Sequence, residues 1–421
     1  MILILLIYIG SFLFFPILTT PFFLIPIVQK NKLSKFYLYL FVIGISLIAL
    51  RYTPFFTDDA AYHYKAAYLF QDYDNFFDWF SNLMLRNIPG EYEYYNFPLF
   101  GLLLYIFSGT GTYSLISFVV SILVYISYTT ILFDIYKKNN ISKLLFLCAL
   151  ITIIIFVNVR YTTSGMRYSL SVALTILLFY KEIENNFKMN ARMFLYLIPL
   201  LIHSSVIIPI LLRFLLPWLK KVTIYKVLIV LFSLPVLTLL STFFQSFGID
   251  YLTFLFIKFD SYQDTATFIS LFSNSDLVNV YVGLSVCILY IFFYGIVLRF
   301  YSNNAVKYFF TLIFFISLLT LSSVQFLTIL DRFIWYIYPG VIISVVLHYA
   351  YREKNTKRIR AHHLFSSILI MLCFVGGFIW NRKFLDFLNF VDFNIVEILT
   401  KNIFEYFRDL HHFSLGDVWV R

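Results

Sequence analysis

Charge is scarce in this chain. Asp, Glu, Lys and Arg make up 13% of its 421 residues, about half of what a soluble domain carries, and a water-soluble fold is excluded over most of the length. Cysteine is scarcer still. Cys148, Cys287 and Cys373 all fall within apolar runs, which excludes a disulfide framework and metal-binding spacing and leaves three inert core thiols. There is no Gly-rich phosphate loop and no nucleophile elbow, so nothing points to a nucleotide-binding domain. Lengthwise repeats and low-complexity stretches are also missing. No segment is large enough to fold alone as a soluble domain.

What the chain has is apolar length. Hydrophobic residues are 61% of it, and runs of about 18 or more read as membrane helices. Candidate spans are 2–26, 36–52, 113–134, 142–159, 166–180, 226–247, 279–298, 308–327, 333–350 and 364–381. The first has no basic residue ahead of its apolar run and reads as a retained helix rather than a cleaved signal. The expected fold is all-α, a polytopic membrane protein of about ten spans. The net charge of +10 then belongs to cytoplasmic loops, by the positive-inside rule, and not to a nucleic-acid surface.

Two further apolar stretches, 97–108 and 193–217, are settled by charge. The 53–96 loop holds Asp58, Asp59, Asp72, Asp74, Asp78, Glu91 and Glu93 against Lys65 and Arg86, and it reads as external. Lys137, Lys138 and Lys143 are cytoplasmic only if 97–108 does not cross. Lys181, Lys188 and Arg192 precede 193–217, and Lys220, Lys221 and Lys226 follow it. Both groups are cytoplasmic only if that stretch enters and returns. His203 then lies at the apex of a hairpin, with arms of about 16–20 Å, too short to span. Irregular backbone at that depth must be buried in protein or face water. The expected membrane domain is 1–381, with outer loops 53–96 and 248–278. The tail 382–421 alternates apolar and charged residues and reads as an amphipathic surface helix.

Ionisable residues at membrane depth are costly and are candidates for function. Arg51, Arg86, Arg160, Arg167 and Arg332 fall on the side opposite the lysines. Arginine grips phosphate in a bidentate fork, so several arginines facing one cavity suit an anionic, lipid-held pyrophosphate. Snorkelling to headgroups is the ordinary alternative for any one of them. In Thr57-Asp58-Asp59-Ala60-Ala61-Tyr62-His63-Tyr64, Asp58 and Asp59 could supply a general base for a sugar hydroxyl or simply cap a helix. The cluster Glu91-Tyr92-Glu93-Tyr94-Tyr95 suits sugar binding and equally an interfacial belt. His203, followed by two serines between prolines, could accept a proton or hold a hydroxyl.

At these residues the chain resembles the Wzy/EpsG-like bacterial polysaccharide polymerases. The resemblance rests on four places: Arg51 with Asp58, Asp59 and Tyr62; Arg160-Tyr161-Thr162-Thr163-Ser164-Gly165-Met166-Arg167; His203-Ser204-Ser205; and Asp331-Arg332-Phe333-Ile334-Trp335-Tyr336. Their order covers about 36 to 350. The family often has Gln after the second arginine, where this chain has Tyr168. The resemblance implies a GT-C-like glycosyltransferase of the bacterial cytoplasmic membrane, acting on undecaprenyl-pyrophosphate-linked oligosaccharides at the outer face, in membrane lipid and beside a flippase and a chain-length regulator. Asp58, Asp59 and His203 would be catalytic, and Arg51, Arg160, Arg167, Arg332, Tyr62 and Tyr336 would bind substrate. No metal and no other cofactor is expected. The competing readings are a transferase using polyprenyl-phosphate sugars, an O-antigen ligase, and a repeat-unit flippase. A flippase would call for paired repeats with matching helix breaks, and no matching halves are visible.

Overall fold

The computed structural model describes residues 2–51, 59–88, 93–112, 114–219, 221–233, 274–298, 304–324, 327–351, 359–388 and 395–408. Among them every regular element is a helix. Helix α1 (Ile2–Phe14) leads into a stretch that prolines cut into α2 (Pro16–Thr19), a 3-10 turn (Thr20–Phe23) and α3 (Leu24–Val28). Each proline lacks a donor and fixes φ, so this stretch does not continue α1 as one rod. The expected span 2–26 is therefore bent. Tyr8 and Phe12 fold back onto Phe23, with centroids 5.7 and 5.5 Å away, whereas a straight helix would hold Tyr8 roughly 22 Å from Phe23.

Next come α4 (Ser34–Ser46), continued by a 3-10 turn to Arg51, then α5 (Asp59–Phe70), α6 (Phe76–Met84) and α7 (Pro98–Ser108). They are followed by α8 (Ser114–Lys138), α9 (Lys143–Phe156), α10 (Val159–Ser164) and α11 (Met166–Glu184). Then come α12 (Leu197–Ile202), α13 (Ile207–Leu219) and α14 (Ile224–Ser233). The last are α15 (Asn274–Val297), α16 (Asn304–Ser322), α17 (Leu327–Tyr351), α18 (Ile359–Leu388), α19 (Ile395–Thr400) and α20 (Ile403–Arg408). The outer loop expected at 248–278 lies outside the described residues up to 273.

Among the described residues six helices are long and apolar enough to cross a membrane: Ser34–Arg51, Ser114–Lys138, Leu277–Val297, Asn304–Ser322, Ile329–Tyr351 and His362–Ile379. The described residues are all-helical and make the chain a polytopic membrane protein. Four of the ten expected spans are not among these six. Besides the bent 2–26, the span expected at 142–159 is the 14-residue α9, about 21 Å long and short of a bilayer core. Helix α11 has 19 residues but includes Arg167, Lys181, Glu182 and Glu184. Only the part of 226–247 up to Ser233 is described.

Side-chain pairs fix the directions of the helices. Ser121 bonds Thr162 at 2.5 Å and Ser117 bonds Met166 at 3.7 Å near the start of α11. At the other end Lys181 pairs with Asp134 at 2.9 Å and Lys138 with Glu184 at 2.6 Å. Helices α8 and α11 are therefore parallel. Lys30 reaches the Asn139 carbonyl at 3.2 Å at that same lysine-bearing end. Helix α17 runs the same way, because Arg332 meets Tyr168 near its start and Tyr351 lies near Tyr180. Helix α18 runs back beside it, with His362 against His348 at 3.3 Å and Gly376 against Tyr338.

Helix α11 also serves as a ruler for 191–219. Tyr196 packs on Phe179 with centroids 5.9 Å apart, His203 packs on Tyr168 at 5.4 Å, and Arg213 returns to Glu182 at 2.6 Å. The chain climbs α11, reverses at His203 and descends, as expected for a hairpin. Helix α7 does not cross either. Phe97, before its first residue, stacks on His203, and its last residue, Ser108, accepts from Gln71 at 2.8 Å before α8 starts near Met166.

Two expectations need correction. Cys148 is exposed, while Cys287 and Cys373 are buried. The tail is not one surface helix from 382. Helix α18 continues unbroken to Leu388, and α20 buries Tyr406 with Leu47, Leu50 and Phe118.

The Arg213 side chain has no exposed surface, Glu182 is 7% exposed, and the guanidinium also donates to the Phe187 carbonyl at 3.0 Å. Removing one partner of a buried pair strands the other, whereas replacing both with apolar groups is often tolerated. Arg213→Ala is expected to destabilise the protein by about 3–5 kcal/mol. The double variant Arg213→Met/Glu182→Leu is expected to restore most of that stability. Thermal unfolding in nanodiscs checks both.

Candidate functional site

The site forms where breaks in the helices coincide. Asn158 ends the irregular step after α9 and caps α10, its side chain accepting from the Tyr161 N–H at 3.0 Å. Gly165 (φ −92°, ψ 45°) ends α10, and α11 starts at Met166. Arg167 thus falls in the first turn of α11. A cation there opposes the helix dipole, so helix stability does not account for this residue. His203 (φ −157°, ψ 126°) breaks the hairpin between α12 and the turn Ser204–Val206. Its Nδ1 accepts from the Ser205 N–H at 3.1 Å and lies 2.8 Å from Ser205 Oγ. A backbone N–H can only donate, so the proton of the neutral His203 ring sits on Nε2.

Aromatic rings connect the three residues expected to converge. The Arg167 guanidinium lies 5.2 Å from the Phe97 ring, 5.8 Å from Tyr94 and 6.0 Å from Tyr62. Phe97 stacks on His203 at 5.6 Å with 17° between planes, and Tyr168 meets His203 edge-on. The Arg332 guanidinium lies 5.6 Å above the Tyr168 ring, while the Tyr168 hydroxyl donates to the Arg332 carbonyl. His203 is therefore one ring away from each arginine. Trp335 closes the far side against Tyr161, Tyr168 and Phe156. Arg167 and Arg332 are partly buried. Two guanidinium groups and an imidazole thus lie within one ring of each other, and their N–H groups are donors of the kind an anion can accept from.

Tyr62 faces Arg167 directly. Arg160 is on α10, which packs against the Leu47–Arg51 turn and α5. Arg51 itself lies 5.6 Å from the Tyr406 ring. Arg86 is exposed and stacks on Tyr95 at 4.3 Å. Tyr336 is fully buried beside Thr175, one turn below Arg332. Asp58 and the side chain of Asp59 lie outside the described residues. Among the described residues, no three His, Cys, Asp or Glu side chains converge as a metal site.

Sequence reasoning missed Phe97 and Tyr168 as linking rings, and it gave His63 no part. Tyr94 is completely buried and does not belong to an interfacial belt. The signals were faint: an aromatic residue before Pro98, and a Tyr where the resembled family has Gln. No family model, curated protein or solved structure matches the chain. A double-mutant cycle of Phe97→Leu and His203→Leu is expected to give a coupling of about 0.5–1.5 kcal/mol, the range for stacked aromatic pairs. Thermal unfolding of the four proteins in nanodiscs measures it.

Proposed function

We propose that this chain is a glycosyltransferase of the bacterial cytoplasmic membrane that polymerises undecaprenyl-pyrophosphate-linked oligosaccharide units into a surface polysaccharide. The observation that carries the reading is the convergence of Arg167, His203 and Arg332 at the end of the bundle away from the lysines. By the positive-inside rule the lysine end is cytoplasmic, so the cluster faces the exterior, where lipid-linked repeat units are joined.

In the proposed step a sugar hydroxyl oxygen of one unit attacks the anomeric carbon of the other chain. The bond from that carbon to the pyrophosphate oxygen breaks, its electron pair leaves with undecaprenyl pyrophosphate, and a base takes the hydroxyl proton. Arg167 and Arg332 would offset the charge that grows on the departing oxygens. The ring proton on Nε2 makes His203 a donor to such an oxygen and removes it from the role of base. That leaves Asp58 or Asp59 to take the proton.

Singly replacing Arg167, His203 or Arg332 with Ala, with membrane expression confirmed, is expected to abolish long polysaccharide chains and leave single-repeat products. Unaltered long chains would return these residues to packing and overturn the reading. The donor role of His203 has its own test. His203→Gln keeps an N–H donor near the Nε2 position and is expected to retain partial chain length, while His203→Asn, whose amide stops at the Nδ1 position, is expected to retain none. Equal loss in both would point back to a base.

A further inference from the structure

Beneath Arg167 lies a second layer that the proposed reaction does not use. His63 has no exposed surface, and its Nδ1 lies 2.6 Å from the Tyr94 hydroxyl. Its ring packs against Phe100 at 4.9 Å, Tyr62 at 5.6 Å and Tyr94 at 5.9 Å. Tyr94 is also fully buried, held edge-on by Phe70 at 5.9 Å and stacked over Phe100 at 6.3 Å. Gly101 leaves just enough room, because a Cβ there would come within 3.3 Å of Tyr94 Cβ. Tyr94 in turn faces the Arg167 guanidinium beside Tyr62 and Phe97.

We propose that His63 is a positioning residue: by hydrogen-bonding Tyr94 it locks the aromatic cage that holds Arg167 towards the anion, so that the affinity of the site for a pyrophosphate group depends on a histidine that never touches the ligand. The physical case is simple. Tyr94 is reached by a 3-10 turn, Glu93–Asn96, and not by a long helix, so its orientation depends on side-chain contacts. A cation–π contact falls off with the angle and distance of the ring, so a Tyr94 that tilts no longer holds the guanidinium in place. A buried hydroxyl that loses its partner also keeps its desolvation cost, which drives it to seek another. The role of Arg167 towards pyrophosphate rests on the proposed function. The cage itself does not.

The test uses the full-length protein in nanodiscs and two readouts. The first is the rate at which phenylglyoxal modifies Arg167, read by peptide mass mapping. The second is polysaccharide chain length in cells. His63→Leu and Tyr94→Phe are each expected to raise Arg167 modification about fivefold, the factor that corresponds to one net hydrogen bond, and to shorten the chains. His63→Asn, whose amide reproduces the Nδ1 position, is expected to keep both near wild type. Unchanged modification in Tyr94→Phe overturns the proposal even if His63→Leu fails to fold. A His63→Leu protein that matches wild type while His63→Asn does not also overturns it, because the residue then only fills space. Raised modification with full-length chains would establish the cage and its positioning residue while overturning the polymerase reading.

Discussion

Glu182 and Arg213 meet at 2.6 Å with almost no exposed surface between them, and the placement of His203 depends on that contact. Each ion alone would be costly at this depth, and together they offset much of that cost. The pair pins the descending arm to the lysine-bearing end of α11. Ten residues separate Arg213 from His203, or about 15 Å of helix, which brings the apex to Tyr168 and Phe97 and no further. A hairpin held at its base delivers its apex at a fixed height. Proline placement agrees with this. Pro199 accepts the backbone N–H of His203 at 3.0 Å in the last turn of the ascending arm, and Pro209 lies in the first turn of the descending one, where its missing donor costs little.

The same economy appears above the apex. Both arginines are partly buried and set against rings instead of bulk water. A ring face gives a guanidinium modest attraction without a formal charge of its own. Phe97 and Tyr168 each serve two neighbours, so the spacing between Arg167, His203 and Arg332 is set by the dimensions of two rings. That is a more rigid rule than long flexible side chains could supply.

Much of this was legible in the sequence, because charge is so constrained in an apolar chain. The hairpin at 193–217 followed from lysines on both flanks, and the non-crossing 97–108 followed from Lys137 and Lys138. Arg167, His203 and Arg332 could be singled out because each is costly at depth. What could not be read was whatever depends on pairing across the bundle. Arg213 stands in the apolar run Ile207–Leu219 and looks like one more snorkelling cation until Glu182 appears beside it. The bend of 2–26 was signalled by Pro16, Pro21 and Pro26, but hydropathy counts apolar length and passes over a missing donor. Tyr94 and His63 carried no distinguishing pattern, since an aromatic-rich outer loop looks the same whether its rings face lipid or an arginine.

The helix breaks share one end of the bundle. Val157-Asn158, Gly165 and His203 all lie near the start of α11, as do the first turns of α7 and α17. Backbone that leaves its helical ladder within a bilayer must be buried in protein or line water, so clustering the breaks creates one place for chemistry. At the opposite end the described helices are tied by Lys181–Asp134, Lys138–Glu184 and Arg213–Glu182. A carrier that alternates access needs both ends to loosen in turn, with breaks repeated in two matching halves. Among the described residues the helix breaks gather at one end, and ion pairs tie helices together at the other. Breaks gathered at a single end are the arrangement the proposed reaction calls for, since its donor and acceptor would both arrive from the same leaflet.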